Sequence, residues 1–193
     1  IGLAGGERES AIAATLTMNV AAMGMHADLA DGRLHFIPEV RAELRRQLIA
    51  IGADIGVGIV SAATIDAINI LRASLEAMRL AYEDLGRRHD LSPEFIFVDG
   101  RFTFPAAVPQ EALVKGDARS ASIAAASIVA KVWRDRIMVD LAQQHPGYGW
   151  ETNAGYPTAD HRAALEKLGV TAAHRRSFRP VHNILYQDLS VSG

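Results

Sequence analysis

The chain has 193 residues, 49% of them apolar and 22% charged, proportions typical of a globular domain. It contains no cysteine, which excludes a disulfide framework, a thiolate zinc site and a cysteine nucleophile. The net charge is −2. Residues 1–100 carry 9 Lys/Arg against 14 Asp/Glu and residues 101–193 carry 11 against 8, a basic shift that suits phosphate binding but that ordinary fluctuation also explains.

The first half of the chain alternates predicted strands with predicted helices. The strands are indicated by apolar residues at every second position, and the helices by apolar residues three or four apart. The predicted elements are a half-buried strand at 15–20, a polar loop at 28–37, a helix from Pro38 that stops at Gly52, a strand at 55–59 and one long helix capped by Thr64 and running to Leu85.

The second half continues this pattern and then becomes turn-rich. Its predicted elements are a short strand at 95–98 that ends in Asp99, an alanine-rich helix at 120–144, turns after Pro146, a helix at 159–168 and a basic tail. Interleaved strands and helices indicate the α/β class. We predict one domain, with a core at 1–145 and a C-terminal appendage at 146–193.

Two acidic positions are candidates for chemistry. Asp99 follows a strand, where open α/β sheets place their sites, although an aspartate before glycine is also a common turn. On the alanine-rich helix, Ser127, Lys131 and Asp135 are spaced four apart and share one face. That face suits metal or phosphate binding, and an exposed Lys131–Asp135 pair is the simpler interpretation.

Other motifs carry less information. The run from Lys115 to Asp117 indicates a turn with a basic neighbour. Four of the seven histidines lie late in the chain, without a metal-ligand spacing, and we expect them to be polar surface residues: His145, His161, His174 and His182. The sequence has no Walker A loop, dinucleotide-binding glycine motif, zincin motif or serine-hydrolase elbow.

Taken together, these segments resemble the ribonuclease HII family. The run 114–117 (VKGD) and the run 122–138 (SIAAASIVAKVWRDRIM) resemble its central motif. Residues 146–161 resemble its "PGYG…GYGT..H" pattern and residues 174–181 its "HRRSF.PV" pattern. Upstream, residues 65–78 and 98–100 (VDG) also match. The resemblance covers roughly residues 55–181 in order.

The resemblance implies a fold, a reaction and a set of site residues. The fold is a ribonuclease H-like mixed sheet flanked by helices, with a small helical C-terminal appendage. Four carboxylates hold two divalent ions, Mg²⁺ or Mn²⁺, for in-line phosphodiester cleavage. By resemblance Asp99 and Asp135 are two of these ligands and approach each other, and Tyr156 senses the ribonucleotide. The predicted nucleic-acid-binding residues are Arg8, Arg33, Lys115, Lys131, Tyr156, Arg175 and Arg176, with Arg179 on the same surface.

The N-terminal segment departs from the family pattern. The family's first motif contains an Asp-Glu pair, and either alignment of residues 2–15 places Gly or Ala there. Glu7 is our candidate for a catalytic and metal-binding replacement, with Glu9 as its alternative. Three interpretations stay open: one of these glutamates replaces a ligand, the chain binds hybrids with weak or no cleavage, or the N-terminal sequence is incomplete or altered.

The expected substrate is an RNA–DNA hybrid or duplex DNA that holds a ribonucleotide. The alternative is a catalytically impaired paralogue that binds such duplexes without efficient cleavage. Apolar runs are shorter than the ~18 residues of a membrane span, and no basic segment of a signal peptide opens the chain. We therefore expect a cytoplasmic monomer without membrane contact.

Overall fold

The computed structural model describes residues 14–19, 38–90 and 93–186, with side chains from residue 41 onward. The elements in chain order are β1 (Ala14–Asn19), α1 (Pro38–Ala50), β2 (Ile55–Val60), α2 (Ala62–Ile68), α3 (Ile70–His89), β3 (Ile96–Asp99), β4 (Gln110–Leu113), a 3-10 turn (Gly116–Ala118), α4 (Ala121–Gln144), α5 (Trp150–Asn153), α6 (Ala159–Leu168) and α7 (Arg179–Tyr186). The α/β class is therefore confirmed. The loop predicted at 28–37 lies outside the described residues.

Two parallel strand pairs form the described sheet structure. β1 pairs with β2, with Leu16 opposite Val57, and β3 pairs with β4, with Val98 opposite Ala112. Both α3 and α4 pack against the β1–β2 pair. Parallel pairing needs a crossover between strands, and α1 and the segment 100–109 occupy the chain between the paired strands.

The alternating glycines of β2 allow α3 to approach the sheet. A Cβ atom placed on Gly56 would lie 2.1 Å from the carbonyl oxygen of Ala81, and one on Gly58 would lie 1.9 Å from that of Ala77. Both distances are far inside van der Waals contact, so only glycine fits. The facing residues of α3 are small and buried, Ala73, Ala77 and Ala81 among them.

One predicted helix is two helices in the structure. Asn69 has φ 68°, a left-handed backbone that ends α2, and its side-chain oxygen then accepts a hydrogen bond from Arg72 N to begin α3. Ser61 rather than Thr64 is the N-cap of α2, because its hydroxyl oxygen accepts from Thr64 N at 3.1 Å. The prediction of an unbroken helix from Thr64 was therefore wrong.

Three short elements were not predicted: β4, α5 and α7. β4 and α5 have four residues each, too few to show a hydrophobic period. The strand at 55–59, the helix at 120–144 and the helix at 159–168 were predicted within about one residue of their bounds, and the helix from Pro38 was also found. In the part of the chain described, no helix has the length and apolar character to cross a membrane.

The C-terminal elements share an aromatic core with the end of α4. Its buried residues are Met138, Tyr148, Trp150, Leu165 and Val181. His161 and His174 belong with it, since they are only 5% and 7% exposed and their rings stack 5.6 Å apart. The prediction that these two histidines are polar surface residues was wrong, because the rings of Tyr148 and Trp150 enclose them. The division at residue 145 stays a prediction.

Candidate functional site

Asp99 is the last residue of β3 and projects from the sheet's carboxyl end. Ile96 and Val98 are buried at 1% exposure, and the alternation of the strand leaves the Asp99 side chain exposed. Gly100 follows with φ 126° and donates its N–H to Leu113 O at 2.9 Å, which fixes the turn. Burial of the two apolar neighbours thus aims the Asp99 carboxylate toward solvent at the strand's end.

A tight turn that contains a second aspartate, Asp117, contacts Asp99. Gly116 N donates to Asp99 Oδ1 at 2.9 Å, and Asp117 is the next residue of that turn. A Cβ at Gly116 would lie 2.6 Å from Ile123 Cδ1 and 3.0 Å from Asp99 Oδ1, so a larger residue here would have to displace the Ile123 side chain and crowd this contact. Lys115 enters the turn with φ 56°. Asp117 was missed in the sequence, where the run from Lys115 to Asp117 indicated only a turn.

Asp135 lies on α4 and forms ion pairs with two basic side chains. Its Oδ1 accepts from Lys131 Nζ at 2.6 Å, and its Oδ2 from Arg41 Nη2 at 3.0 Å. Gly116 sets Asp99 beside Ile123 near the start of α4, and twelve residues at 1.5 Å each put Asp135 about 18 Å farther along that helix. This spacing along α4 argues against the expected approach of Asp99 to Asp135, which stays a prediction.

The Asp135 ion pairs line a pocket of about 470 Å³ between α1, α4 and α5. Tyr156 forms part of its wall, with Lys131 Nζ 5.6 Å and the Arg134 guanidinium 5.0 Å from the ring centroid. Burial lowers the pKa of Lys131, and the hydrogen bond and charge of Asp135 act in the opposite direction. The pocket therefore combines a half-buried aromatic ring with three basic and three acidic side chains: Arg41, Lys131, Arg136, Asp135, Asp140 and Glu151.

Arg134 is buried beneath the Tyr156 ring and fixes its position. It is 2% exposed, and its Nη2 donates to Ala154 O at 2.6 Å, two residues before Tyr156. Burial lowers its pKa, while the charges of Tyr156 and Asp135 act against that. Its guanidinium holds the turn that presents Tyr156. Arg134 was not predicted as a site residue, although it follows Ala126 and Ala130 at four-residue spacing, and a charged residue in such an apolar stripe is the signal that could have identified it.

The remaining basic candidates lie on separate elements. Lys115 is exposed at the 3-10 turn beside Asp99, and Arg175 and Arg176 precede α7, with the exposed Arg179 at its first position. Arg176 is exposed, whereas Arg175 is half-buried with its guanidinium 5.0 Å from the Phe178 ring. The structure thus distributes the predicted phosphate contacts over the strand-end turn, the pocket and the C-terminal loop.

Three further predicted residues lie outside the described residues: Glu7, Arg8 and Arg33. Within 41–90 and 93–186, no group of three or more His, Asp or Glu side chains is arranged to hold a metal ion. The described part supplies two candidate carboxylates in this region: Asp99, and Asp117 in the turn that contacts it.

The chain is similar to proteins of one family in sequence and in fold. Residues 37–181 match the family model described as Ribonuclease HII. A ribonuclease HII of Ruegeria pomeroyi is 56% identical over 150 residues, which are 77% of this chain and 62% of that protein. A ribonuclease HII of Desulfotalea psychrophila is 54% identical over 150 residues, 78% of this chain and 65% of that protein. The chain thus spans less than two thirds of the length of these two relatives.

A solved structure supports the fold. The crystal structure of the ribonuclease H2 from Pyrococcus horikoshii OT3 aligns with a TM-score of 0.58 at 23% identity, covering 79% of this chain and 78% of that one. At this identity the likeness concerns the fold alone. The predicted ribonuclease H-like fold is confirmed.

Proposed function

The chain belongs to the ribonuclease HII family, and from that premise we propose that it is a metal-dependent endonuclease for RNA paired with DNA. Its substrates are RNA–DNA hybrids and duplex DNA that contains a single ribonucleotide. One observation carries the proposal: the hydrogen bond from Gly116 N to Asp99 Oδ1 holds the turn that contains Asp117 against Asp99, at the carboxyl end of a parallel strand. This edge is where sites lie in α/β sheets.

The donor set at this edge fits a hard divalent cation. Asp99 is an exposed carboxylate that accepts from a neutral amide, so its negative charge is available to a cation. Mg²⁺ and Mn²⁺ prefer oxygen ligands, and a cysteine-free chain offers these rather than thiolates. Asp99 and Asp117 would hold the metal, with Glu7 as the proposed third ligand. Bound there, the metal would activate water and stabilise the leaving oxygen.

Asp135 takes a different role in this proposal. Its two ion pairs with Lys131 and Arg41 already neutralise its charge, and it lies well away from Asp99 along α4. We assign it to holding these cations at the pocket wall rather than to metal binding. Lys131 and Arg41 would then face a phosphate, and the cost of burying Lys131 is offset by Asp135 until the phosphate is bound.

Tyr156 is the proposed sensor of the ribonucleotide. Its ring forms a wall of the pocket and is fixed by Arg134, so it offers a flat apolar surface to a sugar or base. Stacking on an aromatic ring contributes about 1–3 kcal/mol per base. The 2′-hydroxyl is the chemical difference between the two sugars, and a rigid ring can discriminate by packing against the sugar that carries it.

A second candidate function is binding of such duplexes with little cleavage. The sequence has Gly or Ala where the family places its Asp-Glu pair, and two-metal cleavage needs enough carboxylates to hold both ions. The binding surfaces of the pocket and the C-terminal loop do not depend on those positions. This candidate therefore shares the substrate and differs in the rate of the chemical step.

The deciding experiment incubates the chain with a DNA duplex that holds one ribonucleotide, in Mg²⁺ and separately in Mn²⁺. The proposal expects a nick 5′ to the ribonucleotide, none in an all-DNA duplex, and loss of the nick on chelation or in Asp99→Asn. Selective binding of the ribonucleotide duplex without a nick would establish the second candidate. Cleavage that persists in Asp99→Asn would contradict the proposed metal site. Equal binding of both duplexes would contradict the proposed substrate.

A further inference from the structure

Asp66 of α2 ties the C-terminal loop to the core. Its Oδ2 accepts from Arg176 N at 2.8 Å, and its Oδ1 accepts from Ser177 N at 2.9 Å and from Ser177 Oγ at 2.5 Å. The partners are 110 and 111 positions apart in sequence. One carboxylate therefore satisfies three donors of a two-residue stretch that would otherwise be an open loop.

The tie is made by the charged form of Asp66. Burial raises the pKa of this carboxyl, but the hydrogen bonds of Ser177 and Arg176 and the charge of Arg175 together bring it below its usual value. Hydrogen bonds to an ionised acceptor are stronger than those between neutral groups. Asp66 is thus a fixed anion at neutral pH, and the loop is ordered around it.

The loop held in this way carries two adjacent arginines. The main chain of Arg176 is fixed by Asp66. Its side chain is exposed and forms no ion pair with the residues that the structure describes. Arg175 is half-buried against Phe178, and its Nε is buried without a hydrogen-bond partner among the described residues. Fixing the main chain that carries both arginines, and packing Arg175 on Phe178, before a ligand arrives removes part of the entropy cost of binding an anion.

We propose that Asp66 is a positioning residue for nucleic-acid binding, which fixes residues 175–177 so that Arg175 and Arg176 contact the phosphodiester backbone of the duplex. The inference rests on the proposed function, because it takes the duplex as the ligand. Asp66 is negatively charged, so its own charge repels the negatively charged duplex.

That sign makes the inference testable. If Asp66 acted only through its charge, Asp66→Asn would remove repulsion and tighten duplex binding. As a positioning residue, Asp66 strengthens binding through the arginines, so Asp66→Asn weakens it although the chain becomes less negative. An amide side chain can still accept but loses the second anionic oxygen that holds Arg176 N or the Ser177 donors.

The experiment measures the dissociation constant of a ribonucleotide-containing duplex against salt concentration. The full chain is compared with Asp66→Asn, Ser177→Ala, the double variant Arg175→Ala with Arg176→Ala, and the combination of Asp66→Asn with that double variant. Asp160→Asn, an exposed aspartate in the first turn of α6, is the control for loss of one negative charge. Thermal unfolding of each variant reports its stability.

We expect Asp66→Asn to weaken binding several-fold and to reduce the salt slope by about 1 to 2, as the arginine double variant does. Ser177→Ala should change both quantities less, in the same direction, and it serves if Asp66→Asn does not fold. In the arginine-free background Asp66→Asn should leave the slope unchanged, because the contacts it positions are gone. Asp160→Asn should leave affinity equal or slightly higher.

Three results would overturn the inference. Tighter or equal binding in Asp66→Asn with an unchanged salt slope would show that Asp66 acts by charge or stability alone. A slope effect of the same size in the arginine-free background would show that it acts on other contacts. If the full chain itself bound no duplex, the proposed function would fail and the inference with it, whereas the first two results leave the proposed function standing.

Discussion

The two regions with prominent aspartates use the same side chain in opposite ways. At the end of β3, Asp99 accepts from the neutral amide of Gly116, and its charge faces solvent. On α4, Asp135 is held between Lys131 and Arg41, and its charge is neutralised. A carboxylate can hold an external cation only where the protein has not already supplied one. The comparison supports our proposal that the metal binds at the strand end and the substrate at the pocket.

The largest effect is expected from Asp99→Asn. Removing the negative charge of the proposed ligand should lower cleavage by roughly 100-fold or more while duplex affinity stays within a few-fold. Single-turnover cleavage and duplex binding measure the two quantities. Asp135→Asn is the matched control on the other region. If both variants lost cleavage equally, the division between the two regions would be wrong.

Acid should destabilise the appendage rather than the strand end. Burial, with the positive charges that His161 and His145 carry when protonated, lowers the pKa of His174 to about 4. The pKa of His174 is lower in the folded chain than in the unfolded chain. Its contribution to the free energy of unfolding is therefore present above about pH 6.5 and is lost as the pH drops toward 4, a loss of about 3 kcal/mol.

Urea unfolding at a series of pH values, followed by tryptophan fluorescence, tests this, since Trp150 lies 4.9 Å from His174. His174→Gln should flatten the profile between pH 6.5 and 4. If the free energy of unfolding of that variant still fell steeply with pH, groups outside the histidine cluster would be responsible. The acid sensitivity would then not distinguish the appendage from the strand end.

The elements with local causes could be predicted from the sequence, and those with distant causes could not. Ser120 and the alanine run after it set the start of α4, since cap and propensity act within one turn. The break at Asn69 requires a left-handed residue that no local pattern demands. Residues 55–59 were predicted as a strand, but their pairing with β1 and their close contact with α3 come from tertiary packing.

The same distinction explains the site. Asp99 was identified because a strand followed by Asp-Gly is a local signal. Asp117 was missed because the contact between its turn and Asp99 depends on a hydrogen bond across 17 positions. Asp135 was assigned to the metal by motif resemblance alone, and its ion pair with Arg41, 94 positions away, could not be foreseen. Motif resemblance identified the family, whereas the roles of individual carboxylates required the fold.

Restoring the family's acidic pair should strengthen the strand-end region. Gly5→Asp with Gly6→Glu adds two carboxylates at the aligned positions, and we expect cleavage to rise by about 10-fold or more, with the larger gain in Mg²⁺, which demands near-ideal geometry. Before that change, activity should be higher in Mn²⁺ than in Mg²⁺. Initial rates in each metal measure both effects.

Glu7→Gln with Glu9→Gln is the companion variant. It should lower the residual cleavage of the unaltered chain, because the proposed third ligand is lost. Undiminished activity in this variant would show that the missing ligands come from elsewhere, and a restored pair that left the rate unchanged would argue against the alignment of residues 5 and 6.

Tyr156→Ala should affect discrimination in the pocket rather than cleavage at the strand end. Loss of a stacking surface is expected to cost about 1–3 kcal/mol of preference for the ribonucleotide duplex over all-DNA duplex. Tyr156→Phe keeps the ring and should retain most of the preference. Competition binding with both duplexes measures it, and an equal loss in the two variants would assign the role to the hydroxyl instead.

The smallest effect is expected from Asp135→Asn, and it concerns pH. Asp135 raises the pKa of Lys131 against the lowering by burial, so its removal lets that pKa fall further. Lys131 should then lose its proton, and its attraction for phosphate, at a lower pH than in the unaltered chain. Duplex affinity measured through the alkaline range should decline earlier in Asp135→Asn, by a few-fold at most, since one phosphate contact is involved.

Lys131→Arg keeps its charge throughout this range and should remove the difference. A metal-binding Asp135 would behave otherwise: its replacement would lower cleavage in every buffer and leave the alkaline binding profile unchanged.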